Sequence, residues 1–156
     1  MDEVTIRRYE PADHDEVWAL HNLALEAVNA HGGNGPWDDD LHRVEEVYLR
    51  SGGEFLVGLL GGRLVAMGAL KPSAGGRAEI RRMRVHPDFQ RRGFGRAILR
   101  RLEARAAELG YAELHLETTA GQTAARGLYE AMGYRETGQR TMGRFEVIAY
   151  RKRLSH

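Results

Sequence analysis

The chain has 156 residues, of which 42% are apolar and 29% charged, and it contains 19 glycines, four prolines and no cysteine. This composition is typical of one globular domain, residues 1–156, and it excludes disulfides, thiolate metal sites and a cysteine nucleophile. No apolar stretch is long enough to span a bilayer, and the first residues lack the layout of a signal peptide. We therefore expect a cytoplasmic protein that does not bind membranes.

The net charge of +1 conceals two segments of opposite sign. Residues 1–50 have twelve acids and four bases, whereas residues 77–105 have ten arginines and three acids. The basic segment should attract anions. Its only aromatic residues are Phe89 and Phe94, and the pI of about 8.2 is modest. A phosphorylated small molecule is therefore a better partner than nucleic acid.

The first third predicts a strand and then two helices. Val4 to Tyr9 is predicted to be a strand, and Asp13 with Glu16 matches the pattern of a capping box at a helix start. Apolar residues at helical spacing predict the first helix. After the glycine-rich loop 31–37, the same spacing predicts a second amphipathic helix that ends before Ser51.

A hairpin and a third central strand follow. Two apolar runs, Phe55 to Leu60 and Arg63 to Leu70, are separated by two glycines, which suit a tight turn. Arg77 to Val85 is predicted to be the next strand. Its apolar residues move from even to odd positions, and a bulge in the strand would explain that change.

The last third alternates helices and strands. We predict a helix from Gly95 to Gly110, a strand over 114–118, a helix from Ala124 to Met132 and a final strand over 145–149. The complete order is β-α-α-β-β-β-α-β-α-β. It describes an α/β (α+β) fold in which helices pack on a mixed sheet.

The segment from Val85 to Arg96 comprises a strand end, a short loop and a helix start. Gly93 and Gly95 allow backbone N–H groups to approach an anion closely, and the first helical turn adds unpaired donors and the positive end of the helix dipole. Three arginines add positive charge, namely Arg91, Arg92 and Arg96. This arrangement suits a pyrophosphate.

Other interpretations of this loop fit less well. A Walker loop needs a lysine, which the stretch lacks. A dinucleotide fingerprint needs a third small residue where Ile98 stands, although Glu113 does lie about twenty residues on, where a ribose-binding acid belongs. A glycine-containing turn before an amphipathic helix also stays open, and it is the favoured explanation of three further arginines, Arg100, Arg101 and Arg105.

The loop from Gln90 to Gly95, with the sequence Gln-Arg-Arg-Gly-Phe-Gly, resembles the acyl-CoA loop of the GNAT superfamily of N-acetyltransferases, Gln/Arg-x-x-Gly-x-Gly/Ala. The preceding stretch, Glu79 to Pro87, resembles the fourth strand of that family, and Ala124 to Tyr134 resembles its later helix, which includes a tyrosine. The order of elements also matches along nearly the whole chain. The resemblance implies a mostly antiparallel mixed sheet and acetyl-CoA as co-substrate. We also expect no metal, because the histidines are scattered without metal-ligand spacing.

The resemblance also implies how the cofactor binds. Two strands, Glu79 to Val85 and Glu113 to Thr118, would separate so that the pantetheine arm inserts between them. Backbone groups of Met83 and Val85 would hold the pantetheine and thioester, and the loop would hold the pyrophosphate. Gln122 stands where many members have an asparagine. The implied cofactor-binding residues are Met83, Arg84, Val85, Gln90, Arg91, Arg92, Gly93, Phe94, Gly95, Arg96, Gln122 and Tyr129.

Acyl transfer to an amine needs a base, an oxyanion donor and an acid for the leaving thiolate. The resemblance implies Tyr129 as the acid, although without it an ordinary helix tyrosine would be the preferred interpretation. It implies Glu79 as the base, although a charge network with the nearby arginines is equally open. Glu117 and His115 are the fallback bases. A backbone N–H of the loop-side strand would meet the oxyanion.

The acidic first third, especially His31 to Asp40, is expected to select the acceptor and to cover the site. Its three consecutive acids, Asp38 to Asp40, could attract a cationic amine, but capping of the following helix is the favoured role. We expect the acceptor to be the primary amine of a small molecule. The alternatives are a protein or peptide amine as acceptor, a catalytically silent CoA-binding regulatory module, and a nucleotide- or nucleic-acid-binding protein that uses the arginine stretch. A homodimer is a common state in the family.

Overall fold

A computed structural model describes residues 4–154, whose strands form one seven-stranded sheet. The strands are β1 Thr5–Arg8, β2 Glu54–Leu60, β3 Arg63–Ser73, β4 Arg77–Val85, β5 Glu113–Thr119, β6 Arg135–Met142 and β7 Phe145–Arg153, and the helices are α1 His14–Ala27, α2 Phe94–Glu108 and α3 Thr123–Ala131. The strand order is β1-β2-β3-β4-β5-β7-β6. Only β4 and β5 are parallel, so the predicted mixed, mostly antiparallel sheet is confirmed.

The sheet has a hydrophobic core on each side. One core includes Ile98 of α2 and Leu116 of β5, and the other includes Leu20 of α1. The neighbouring β3 residues Leu64 and Val65 belong to different cores, because successive side chains of a strand point to opposite faces. In the described part of the chain, no helix is both long and apolar enough to cross a bilayer.

The start of α1 differs from the prediction. The helix begins at His14, but the carboxylate of Asp13 makes no cap bond to it. Asp13 instead accepts hydrogen bonds from Arg7 at 2.8 and 2.9 Å and from the backbone N–H of Glu10 at 2.8 Å. Glu16 accepts from the N–H of Leu64 in β3 at 3.3 Å. The predicted capping pair was wrong because tertiary partners compete for both carboxylates.

The predicted second amphipathic helix is divided into two short segments. A 3₁₀ helix spans Pro36–His42 and a π-helical turn spans Glu45–Leu49. Between them the backbone of Arg43 leaves the helical region, with φ −138° and ψ 41°. The break follows Asp40, whose carboxylate is held by Arg82 of β4. A contact distant in sequence therefore overrides the local helical pattern.

Strand β6 was missed by the sequence analysis. All eight of its residues, Arg135–Met142, are exposed, and they show no alternation of apolar and polar side chains. The strand is at the edge of the sheet and pairs only with β7. Its pairing is thus decided by the hairpin with β7 rather than by burial of its own side chains.

The predicted hairpin and bulge are both confirmed. Gly61 and Gly62 join β2 to β3 with φ of +59° and +81°, as a tight hairpin turn requires. In β4, the pairing steps from Ala69↔Arg81 to Met67↔Arg84, which places one extra residue in β4. This insertion is the bulge, and it moves the apolar side chains from even to odd positions.

Candidate active site

The site lies where β4 and β5 separate. We call this place the junction. The two strands pair only through Arg77–Glu79 and Glu113–His115. Beyond Glu79, no pairing joins the described residues of these strands, so the backbone edges of both strands are available to other partners. The predicted separation of these two strands is therefore present, and it begins at Glu79.

A cavity of about 310 Å³ lies beside the N-terminus of α2. Nearly all of the predicted cofactor-binding residues line it, namely Met83, Arg84, Val85, Gln90, Arg91, Gly93, Phe94, Gly95, Arg96, Gln122 and Tyr129. Arg92 is the exception, since its guanidinium lies over the ring of Phe89, 5.1 Å from the centroid. The structure thus brings the loop, the strand end and α3 together around one cavity.

The loop backbone is shaped for an anion. Gly93 is the N-cap of α2 with φ +81°, and no side chain caps the helix there. The first backbone bond of the helix runs from Ala97 to Gly93, so the N–H groups before Ala97 lack helical acceptors. A Cβ on Gly95 would lie 3.4 Å from both Leu128 and Val85, so its backbone packs closely against α3 and β4. The side chain of Gln90 donates to the carbonyl of Val85 at 3.0 Å and ties the loop to the strand.

A larger cavity of about 810 Å³ lies on the other side of the junction. Its walls come from α1 and the loop that follows it, the 3₁₀ segment, β4, β5, β6, the turn after β6 and the start of β7. The lining residues include His21, His31, Trp37, Asp38, Glu79, Arg82, Glu117, Arg140, Arg144 and Phe145. Part of the segment His31 to Asp40, predicted to cover the site, does line this cavity.

Two segments distant in sequence form a continuous wall of the larger cavity. Arg144, in the turn between β6 and β7, donates to the carbonyl of His31 at 2.8 Å. A Cβ on Gly32 would lie 3.2 Å from the ring of Phe145. We call residues 31–33 and 143–145 together the outer wall. Because they touch each other, the cavity is bounded on this side.

Tyr129 lies where the two cavities meet. Four residues line both of them, namely Met83, Arg84, Gln122 and Tyr129. The Tyr129 side chain is buried, and burial raises its pKa to about 12, against the opposing effect of the Arg84 charge. No residue within 4–154 forms a hydrogen bond with its hydroxyl. The hydroxyl is thus protonated at neutral pH, and its proton is available to a ligand.

Glu79 is the least engaged of the candidate bases. Its carboxylate is 3.8 Å from the nearest nitrogen of Arg81, and the side chain is 29% exposed. Glu117 accepts two hydrogen bonds from Arg140, at 2.8 and 3.0 Å, and these lower its pKa. The ring of His115 bonds to the hydroxyl of Ser73 at 2.7 Å.

A buried polar network behind the cavity was not predicted. Arg82 donates to both oxygens of Asp40, and the hydroxyl of Tyr48 donates to the same carboxylate at 2.5 Å. Burial acts to raise the pKa of Asp40, but the bonds from Arg82 outweigh it and the pKa is lowered. Asp38 accepts from Gly35 and Asn34, and it lies 3.7 Å from Arg82. The charges of Asp38 and Asp40 are therefore satisfied within the protein, which weakens the predicted attraction of a cationic amine.

His21 of α1 is a second unpredicted feature. It is buried, its Nε2 lies 3.2 Å from Asp38, and its Nδ1 has no partner among the described residues. Burial, followed by the charges of Arg84 and Arg82, lowers its pKa to about 4. A single histidine at an apolar position of a helix pattern gives no sequence signal for such a role. Over residues 4–154, no group of three or more acidic or histidine side chains could hold a metal ion.

Residues 15–134 match the family model described as the acetyltransferase (GNAT) family. The chain belongs to this family. The resemblance noted in the sequence is thereby confirmed, and so is the enzyme class it implied, the acyl-CoA-dependent N-acetyltransferases.

Two curated relatives illustrate how far the similarity extends. An N-acetyltransferase of Rattus norvegicus is 32% identical over 111 residues, which are 68% of this chain and 50% of that protein. An acetyltransferase of Yersinia enterocolitica is 30% identical over 148 residues, or 92% of this chain and 96% of that protein. The chain thus spans about half the length of the rat relative and nearly all of the bacterial one.

Solved structures share the fold over almost the whole chain. An acetyltransferase of the GNAT family from Staphylococcus aureus has a TM-score of 0.90 at 17% identity and covers 98% of this chain and 100% of its own. An acetyltransferase from Salmonella typhimurium, solved with its cofactor acetyl-CoA, has a TM-score of 0.76 at 23% identity. The match covers 97% of this chain and 94% of the Salmonella chain.

Proposed function

We propose that this GNAT member transfers an acetyl group from acetyl-CoA to the primary amine of a small molecule, by direct attack in a ternary complex. The observation that supports this most is the meeting of two cavities at the Tyr129 hydroxyl. Donor and acceptor would each have a cavity, and their reacting groups would meet beside a protonated phenol. The single domain, the cytoplasmic location and the homodimer stay predictions.

The smaller cavity suits acetyl-CoA. The free N–H groups at the start of α2, together with Arg91 and Arg96, suit its pyrophosphate. The unpaired edge of β4 from Met83 to Val85 offers backbone donors and acceptors to the amides of the pantetheine arm. The solved Salmonella relative holds acetyl-CoA, which supports the same donor here. Acetyl-CoA supplies the activated acyl group, as a thioester.

The residues at the junction supply the proton transfers. An amine attacks only when it is neutral, so Glu79, directly or through water, would accept the proton that the nitrogen loses. As the new C–N bond forms, the C–S bond breaks and the sulfur departs as a thiolate, to which the hydroxyl of Tyr129 would donate a hydrogen bond. A phenol with a raised pKa can still donate to a thiolate as a hydrogen-bond partner. A backbone N–H of β4 would stabilise the developing oxyanion.

The outer wall favours a small acceptor over a protein. Arg144 and His31 are joined by a hydrogen bond, so the outer wall closes one side of the cavity and would obstruct a peptide chain there. The segment His31 to Asp40 contributes several lining residues, and we propose that it selects the acceptor. A protein amine would require the outer wall to open.

The test is release of thiol from acetyl-CoA, followed with a chromogenic disulfide, over a panel of amino acids, polyamines, aminoglycosides and short peptides. The chain has no cysteine and so adds no background. Tyr129→Phe should lower kcat by about 10² to 10⁴-fold without changing the affinity for CoA. Tyr111→Phe is the matched control, because that hydroxyl donates to the carbonyl of Gly52 outside both cavity linings.

Three outcomes would contradict the proposal in different ways. An unchanged rate in Tyr129→Phe would remove the role of that hydroxyl. Binding of acetyl-CoA without thiol release for any amine would favour the regulatory-module alternative. If acetyl-CoA neither binds nor raises the melting temperature, the acyl-transfer function itself fails.

A further inference from the structure

The larger cavity has an excess of arginines over acids. Five arginines line it, namely Arg81, Arg82, Arg84, Arg140 and Arg144, against three acids, Asp38, Glu79 and Glu117. Most of these charges are matched within the protein: Arg82 binds Asp40, Arg140 binds Glu117, and Arg81 lies 3.8 Å from Glu79. In the part of the chain that the structure describes, neither Arg84 nor Arg144 has a carboxylate partner.

Arg84 is the more unusual of the two. Its Nη1 donates to the adjacent carbonyl of Met83 at 2.9 Å, whereas its Nε is buried and has no partner. Burial, and then the charge of Arg82, lowers the pKa of its guanidinium to about 10, so the group is still charged at neutral pH. The charges of Asp38 and Asp40 act on Arg84, but neither carboxylate forms an ion pair with it. A half-buried charge with no ion-pair partner and an unbonded, buried Nε is costly to retain. A ligand that brings the missing negative charge would remove that cost.

The position of Arg84 restricts which ligand this can be. Arg84 lines both cavities, as Tyr129 does, so it lies at the junction where acyl transfer would take place. The charge of Arg84 also lowers the pKa of both Tyr129 and His21, which indicates that all three groups lie close together. A carboxylate paired with Arg84 would hold an amine on the neighbouring carbon at this junction.

We propose that the acceptor is an α-amino acid, or a close analogue with a carboxylate next to its amine, and that Arg84 binds the carboxylate. This inference rests on the proposed acyl transfer and names its substrate class. Arginine suits the role, since its planar guanidinium can donate two parallel hydrogen bonds to one carboxylate. Arg84 would therefore determine specificity and position the amine, while Glu79 accepts its proton and Tyr129 donates a hydrogen bond to the departing sulfur.

The experiment compares substrates that differ only in the carboxylate. Each of the twenty protein amino acids is offered with its C-terminal amide and, where one exists, with the amine lacking the carboxyl group. We expect at least one amino acid to be acetylated with kcat/KM about 10- to 100-fold above that of its amide, the range typical of a charge-assisted hydrogen bond. In Arg84→Gln this ratio should fall to near one, because the acid loses its partner and the amide does not.

Two further variants separate a specific role from loss of folding. Arg84→Lys keeps the charge but not the paired donors, so it should restore part of the preference. Arg100→Gln changes an exposed arginine of α2 and should keep the wild-type ratio. CoA binding, measured by calorimetry, should be retained in Arg84→Gln if the variant is folded, because β4 offers its backbone to the pantetheine arm and the substitution keeps that backbone.

Binding and turnover are measured separately, so that failure of this inference can be told from failure of acyl transfer. Binding of the same acid and amide pairs is followed by thermal shift in the presence of CoA. A preference for acids in binding, lost in Arg84→Gln, would support the inference even if no thiol were released. Equal binding and turnover of acids and amides, or a preference that survives in Arg84→Gln, would overturn it.

Discussion

The guanidinium of Arg82 donates to both carboxylate oxygens of Asp40, at 2.6 and 2.9 Å. This pair joins the bulge of β4 to the 3₁₀ segment and so connects two walls of the larger cavity. Arg82 has φ +57°, a left-handed conformation that is unfavourable for a residue with a side chain. The buried ion pair holds it there.

Removing the carboxylate should therefore be strongly destabilising. Asp40→Ala would leave the guanidinium of Arg82, which is only 11% exposed, without its counter-charge. We expect a loss of about 3 to 5 kcal/mol in the free energy of unfolding, measured with urea. Asp39→Ala is the control, because Asp39 and Arg43 form a solvent-exposed pair, and such pairs contribute little to stability. Equal losses of stability in the two variants would show that the buried pair of Arg82 and Asp40 stabilises the protein no more than the exposed pair does.

The bulge also depends on Gly68 of β3, which faces it. A Cβ on Gly68 would lie 2.5 Å from the sulfur of Met83 and 2.7 Å from Ile98. Gly68→Ala should therefore cost about 1 to 3 kcal/mol through overpacking. Gly138→Ala in β6 meets nothing within 4 Å and should change stability by less than about 0.5 kcal/mol. The melting temperatures of the two variants would test this, and a neutral Gly68→Ala would contradict the close packing.

His21 should make stability depend on pH below neutrality. Its pKa is about 4 in the folded protein and 6.5 when unperturbed. Because the pKa of His21 is lower in the folded than in the unfolded protein, the stability associated with the neutral ring is fully present above about pH 6.5. It is lost as the pH falls towards 4. Near pH 4 the loss in the free energy of unfolding should be on the order of 3 kcal/mol, since a shift of one pKa unit corresponds to about 1.4 kcal/mol.

Urea unfolding at pH 7 and pH 4.5 would measure this effect. His21→Asn should lose less stability between the two pH values than the wild type, because it has no proton to take up on unfolding. His42→Asn, at an exposed position, should keep the wild-type difference. If His21→Asn also keeps that difference, His21 is not held neutral by the fold.

The two candidate bases can be separated by kinetics. Glu79→Gln should lower kcat/KM at neutral pH by about 10²-fold, with partial recovery as the pH rises and more of the amine becomes neutral. Glu117→Gln should have a much smaller effect, because that carboxylate is bound by Arg140. Glu108→Gln, exposed at the end of α2, is the control. A larger effect in Glu117→Gln would reverse the assignment.

Much of the site could be predicted from sequence because its signals are local. Gly93, Gly95, Arg91, Arg96 and the start of the following helix lie within one short segment, so their closeness to each other does not depend on the rest of the chain. The change of phase in β4 likewise indicated the bulge before any pairing was known, because alternation of side chains is a property of the strand itself.

Other features depended on contacts that the local pattern does not record. The capping pair at Asp13 was wrong because Arg7 binds that carboxylate, and β6 was missed because its pairing with β7, and not its own pattern, makes it a strand. The continuous second helix was wrong because Arg82, far along the chain, binds Asp40. The same holds for the unpaired charge of Arg84. Its sequence neighbours suggest one more arginine of a basic segment, and only the packing of the chain decides which of those arginines find carboxylates.

By itself, the sequence determined the fold class and the loop suited to phosphate, since glycine conformation, helix starts and periodicity act over a few residues. Its resemblance to known motifs indicated the acyl-CoA family. The tertiary structure alone decided that two cavities meet at Tyr129, that the outer wall bounds one of them, and that Arg84 is left without a counter-charge. Burial and charge pairing depend on distances between residues far apart in the chain, and these are fixed only when the chain folds.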